Sequence, residues 1–114
     1  MTDLYSIVCV SDQAAALTWY EAFFGRPPDD IIGDEALWQI GENGWIVIDD
    51  REVRAGGVGH AQITLAVEGL DEILARLAAH GIEHEPVETY GNGVRHVVIQ
   101  DPDDNALSLA AAPA

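Results

Sequence analysis

Tyr5-Ser6-Ile7-Val8-Cys9-Val10, followed by a helical stretch over 12–24 and Gly25, recurs as Gln62-Ile63-Thr64-Leu65-Ala66-Val67, a helical stretch over 70–80 and Gly81. Side chains of a strand point alternately to its two faces, so each opening hexapeptide can be sorted by parity. In the first copy Val8 and Val10 share one face, and Tyr5, Ile7 and Cys9 the other. In the second, Ile63, Leu65 and Val67 oppose Gln62, Thr64 and Ala66. Helical spacing follows in both. Ala16, Leu17, Tyr20, Phe23 and Phe24 gather on one side of the first helix, and Leu70, Ile73, Leu74 and Leu77 on one side of the second. Asp12 or Ser11 offers the oxygen that caps the first helix, and the glycines end both at a residue free to adopt positive φ.

The remainder of each copy reads as further strands. Residues 36–40 and 45–49 form a hairpin around Gly41-Glu42-Asn43-Gly44, after a rigid polar connection over 26–30. In the second copy, 82–87 is expected as an edge strand because of Pro86, and 94–100 as a strand. Asp101-Pro102-Asp103-Asp104-Asn105 is a turn before the last strand, 106–110. Each copy is therefore β-α-β-β-β. The expectation is an α+β single domain of two modules, 4–50 and 60–110, with a linker at 51–59.

Length and charge bound the function. A chain of 114 residues supports one core. No run approaches the ~20 apolar residues of a membrane span, and the start lacks the pattern of a signal peptide. Cys9, the single cysteine, excludes an internal disulfide and points to a cytoplasmic, reducing location. Twenty Asp and Glu stand against five Arg and no Lys, a net charge of −15. That surface repels phosphates, so nucleic acid is not an expected partner. Without lysine, Schiff-base chemistry and a phosphate-loop lysine are excluded. A cationic or neutral ligand fits this charge better than a polyanion, although acidity also serves solubility.

The pattern Val10-Ser11-Asp12, Trp19-Tyr20 and Phe24-Gly25, with Val97-Val98-Ile99-Gln100-Asp101-Pro102-Asp103-Asp104-Asn105-Ala106-Leu107, resembles the vicinal oxygen chelate superfamily over nearly the whole chain. That superfamily includes glyoxalase I, extradiol dioxygenases, and fosfomycin and bleomycin resistance proteins. Asp104 stands where the family has glycine. The resemblance implies two βαβββ modules whose mixed sheet curves around a cleft, assembled as a homodimer. It also implies a divalent metal held at four positions, which in this chain are Tyr5, Val47, Gln62 and Ser108. Of the four, only Gln62 could bind a metal, and a lone amide oxygen is a poor anchor for zinc, nickel or iron. No metal or other cofactor is therefore expected, and the resemblance is closest to the metal-free bleomycin-resistance type.

Strand parity then names a ligand-facing wall: Tyr5, Ile7, Trp45, Val47, Gln62, Thr64, Val98 and Ser108, with Trp38 joining from the neighbouring strand. His60 shares the face of Gln62, and His96 that of Val98. Such a wall, mainly apolar and aromatic with a few polar groups, suits a small organic molecule. Sequestration of an antibiotic or other aromatic or cationic metabolite is the expected function. Two alternatives stay open: a lyase or dioxygenase with a metal site rearranged onto His60, His96 or Gln62, and a structural or regulatory partner whose cleft is filled by its own side chains. Cys9 faces the same wall without an evident activating neighbour. His80 is expected near a helix C-terminus.

Overall fold

A computed structural model describes residues 2–51 and 57–113. Its elements are β1 (Leu4–Cys9), α1 (Gln13–Phe24), β2 (Asp30–Ile32), β3 (Glu35–Ile40), β4 (Gly44–Asp49), β5 (Gln62–Ala66), α2 (Leu70–Ala79), β6 (Glu88–Thr89), β7 (Arg95–Gln100) and β8 (Ala106–Ala111). The architecture is α+β, with β-α-β-β-β written twice. Of the linker expected at 51–59, positions 52–56 lie outside the described residues.

Local chemistry explains the helix ends. The Asp12 carboxylate accepts the Ala15 N–H at 3.2 Å, which satisfies one of the donors a helix start leaves free. Gly25 stops α1 at φ 76° and donates its own N–H to Glu21. α2 starts without a side-chain cap, but Asp71 and Glu72 in its first turn and Arg76 in its last complement the helix dipole.

Each helix bridges a parallel strand pair, as a parallel connection requires. The result is two four-stranded mixed sheets, ordered β1-β4-β3-β2 and β5-β8-β7-β6. The strand expected over 82–87 is not one. Pro86 has no N–H to give, a single bond joins Glu85 N–H to the Val98 carbonyl, and regular pairing is confined to Glu88 and Thr89.

Both sheets turn their helix-covered faces inward to one core. Val8, Trp38 and Ile48 enter it from the first sheet, and Ile99 and Leu107 from the second. Tyr20 and Leu77 enter it from the helices. Among the described residues no helix is long and apolar enough to cross a membrane.

The Asp-Pro turn joins the halves. Asp101 accepts the Tyr20 hydroxyl at 2.7 Å, and Asn105 Nδ2 donates to the Cys9 carbonyl at 3.0 Å. Asp103 accepts the Ser11 N–H, also at 3.0 Å. On the other side Arg76 of α2 donates to the Phe23 and Ala22 carbonyls at the end of α1. Asp104 sits at φ 70°, a conformation that suits glycine but that aspartate tolerates better than most residues.

Candidate functional site

Because the inward faces meet in the core, the opposite, open faces of both sheets point away from it. One chain therefore does not close a cleft; it supplies two walls. The register sets their rows. On the first sheet, Tyr5, Trp45 and Gln39 lie side by side, then Ile7, Val47, Leu37 and Asp30, then Cys9, Asp49 and Glu35. On the second, the rows are Gln62, Ala106 and Gln100; Thr64, Ser108 and Val98; and Ala66, Ala110, His96 and Glu88.

The first wall is apolar and graded in depth. Val47 and Leu37 are buried in its floor, whereas Tyr5 and Ile7 on the edge strand are 52% and 53% exposed. The Tyr5 and Trp45 rings lie nearly parallel, 10° apart with centroids 6.0 Å apart. Trp45 Nε1 is buried without a hydrogen-bond partner among the described residues, which costs about 1–3 kcal/mol. Asp49 is buried at the far end, where it accepts the Arg51 N–H at 2.7 Å.

The second wall is more polar. Gln62 and Thr64 are exposed, and Ser108 is buried between its neighbours. Tyr90 stacks on His96 with centroids 5.8 Å apart, and His96 Nδ1 is likewise buried and unpartnered.

Two sequence-derived placements need correction. Trp38 does not join a wall: it pairs with Ile46 on the helix side, is fully buried, stacks on Phe24 and donates Nε1–H to the Arg26 carbonyl at 3.1 Å. The polar Gln39 beside it was the sequence signal, since alternation puts Trp38 on the opposite face from an exposed residue. His60 and His96 are not brought together either. The register sets His96 level with Ala66, six residues beyond His60, or about 20 Å along the strand. A shared metal site on these two histidines is therefore excluded.

The four positions where the fold family places metal ligands do not fit a divalent cation. Tyr5 is an exposed phenol in a stack, Val47 has no donor atom, and Gln62 and Ser108 supply one amide and one hydroxyl on different rows of the other sheet. Among the described residues no group of three or more His, Cys, Asp or Glu side chains could hold a metal ion.

Sequence reasoning missed Leu37, Asp49 and Tyr90. The first two follow once the β3–β4 register is known. Tyr90 lies two residues past Glu88, which pairs with His96 in a strand of only two residues.

A cavity of about 460 Å³ borders the second wall, where Val98 and Gln100 line it together with Trp19, Ile82, Glu83, Glu85 and the Asp-Pro turn. Its deepest carboxylate, Asp101, is already engaged by Tyr20 and Asn105. The cavity is a seam of the joint, and the open faces carry the unsatisfied chemistry.

The comparisons with known proteins agree with this fold. A family model described as the Glyoxalase/Bleomycin resistance protein/Dioxygenase superfamily matches residues 4–109. The chain belongs to that superfamily. Among solved structures, a glyoxalase/bleomycin resistance protein from Catenulispora acidiphila DSM 44928 is 37% identical, with a TM-score of 0.88 over 99% of this chain and 100% of that one. A lactoylglutathione lyase from Agrobacterium tumefaciens shares the superfamily fold at 22% identity and a TM-score of 0.78, covering 95% and 91% of the two chains. The oxidase ChaP-H2 does so at 16% identity and a TM-score of 0.79, covering 99% and 94%. No curated protein matches the chain.

Proposed function

We propose that this member of the superfamily binds a small organic molecule without a metal, in a cleft that two copies of the chain close together as a homodimer. The observation that carries this reading is the first open wall. Half-exposed Tyr5 and Ile7 flank a Trp45 whose indole N–H has no partner among the described residues, while the metal-ligand positions carry a phenol, a valine, an amide and a hydroxyl. Apolar and aromatic surface of this kind gains stability when covered, at roughly 25 cal/mol per Å². Gln62, Thr64 and Ser108 on the other wall are placed to orient polar groups of a guest. Sequestration, with no bond made or broken, needs nothing more. The net charge of −15 favours a cationic guest, such as a basic antibiotic.

Elemental analysis of protein purified without chelator or affinity metal tests the reading. The expected result is no stoichiometric transition metal per subunit; one metal per subunit overturns it and moves the search to lyase and dioxygenase substrates. A thermal-shift panel of aromatic amines follows. A true guest at 100 times its dissociation constant adds ~2.7 kcal/mol of stability, and a cationic one binds more weakly as salt rises. A panel that leaves the melting temperature unmoved favours a cleft filled by its own side chains.

A further inference from the structure

We infer that the guest is a planar heteroaromatic molecule whose uncharged ring acceptor takes the Trp45 indole N–H. This inference rests on the binding reading above and narrows it. Among the described residues, the buried side-chain polar atoms without a partner are Trp45 Nε1 and His96 Nδ1. Both lie on open faces, one on each sheet, and each ring is stacked on a tyrosine. The fold satisfies the indole it buries in the core, since Trp38 Nε1 donates to the Arg26 carbonyl. It leaves the open-face indole unpaired.

Neither neighbour in the row around Trp45 accepts this proton. Tyr5 presents its ring face, and Gln39 is committed to the Glu42 carbonyl at 3.1 Å. Both neighbours are exposed, so a guest can displace them from the indole edge at the cost of a solvent-exposed hydrogen bond and part of the ring stack. A flat molecule seated on the Tyr5–Trp45 pair gains aromatic contact and also reaches Nε1.

Charge selects the kind of acceptor. Asp30 lies one row away and Asp49 and Glu35 two rows away, in a chain of net charge −15. A carboxylate or phosphate would be repelled there, whereas a ring nitrogen or ring carbonyl accepts a hydrogen bond without bringing negative charge.

Quinoline and naphthalene test the inference, because they share a shape and differ in one ring nitrogen. The ¹⁵N-labelled full chain gives indole N–H peaks for Trp19, Trp38 and Trp45. The last is assigned by its loss in Trp45→Phe, or by its proximity to Tyr5 should that variant misfold. The expected result is that quinoline moves the Trp45 indole peak downfield and naphthalene does not. In Trp45→Phe both probes lose some stacking area, but quinoline affinity falls about five- to tenfold further than naphthalene affinity, the loss of one hydrogen bond. A Trp45 indole peak that quinoline leaves in place overturns the inference, including where an acceptor of a partner subunit already holds it. Equal losses of affinity for both probes overturn it too. If either ring still perturbs the backbone peaks of Tyr5 and Ile7, the binding reading survives that failure. If neither ring perturbs any residue of either open face, both fail together.

Discussion

The Tyr20 hydroxyl, 2.7 Å from a buried Asp101 carboxylate, ties the two halves of the chain through a single proton. Burial first, then the hydrogen bond and the nearby negative charges of Asp101 and Asp103, push this phenol well above its ordinary value of 10.0. The folded protein thus keeps a proton that the unfolded chain gives up. The stability so gained is present in full below pH 10 and is lost as pH rises beyond it, at ~1.4 kcal/mol per pH unit. Tyr20→Phe should cost about 1–3 kcal/mol at neutral pH, because Asp101 loses a donor in a buried site. It should also flatten the alkaline limb. Urea melts of both proteins between pH 7 and 11 check this, and parallel alkaline limbs would refute it. Asp104 makes a related point in the backbone: at φ 70° it holds the tight turn that glycine serves elsewhere in the family, so the turn survives the exchange.

The two helices carry the module contacts that strand pairing leaves out. Arg76 of α2 reaches the last carbonyls of α1 at 2.6 and 3.4 Å, groups that a helix end otherwise leaves free. Arg76→Ala should therefore lower stability by about 1–3 kcal/mol. It should also speed amide exchange at the end of α1, in the other module; faster exchange confined to α2 would mean that the contact couples nothing. Such contacts were not legible in the sequence, because they join residues more than fifty positions apart with no local pattern to mark them. The elements themselves were legible wherever alternation was strong. Val8 and Val10, Ile63 and Leu65, and Leu107 and Leu109 each fell on the inward face that parity assigned. Reading failed where the pattern was short. Trp38 was drawn toward the wall by its aromatic character, although its strand neighbours place it inward. Pro86 left the segment over 82–87 with a single cross-strand bond. The inward–outward sense of the two sheets was also hidden: a repeat implies two similar sheets, but the shared core decides that their open faces point apart.

At the level of the whole molecule, β1 and β5 each pair on one side only, and β1 presents Leu4, Tyr5 and Ile7 to solvent. Unpaired apolar edges invite a partner. Under the dimer reading, sedimentation at micromolar concentration should return twice the chain mass. Ile7→Asp, which sets a charge on the exposed edge, should return the mass of one chain with little change in its own fold. A wild-type protein that sediments as a single chain at these concentrations would remove the second wall. The alternation of these strands has another outcome. Val8 and Val10 in the first copy and Ile63 and Leu65 in the second pack into the core, while their alternates Tyr5, Ile7, Gln62 and Thr64 face outward and contribute little to it. Folding and recognition are thus written on interleaved letters of the same short words. The outward letters can be respelled for a new guest while the inward ones keep the grammar of the fold.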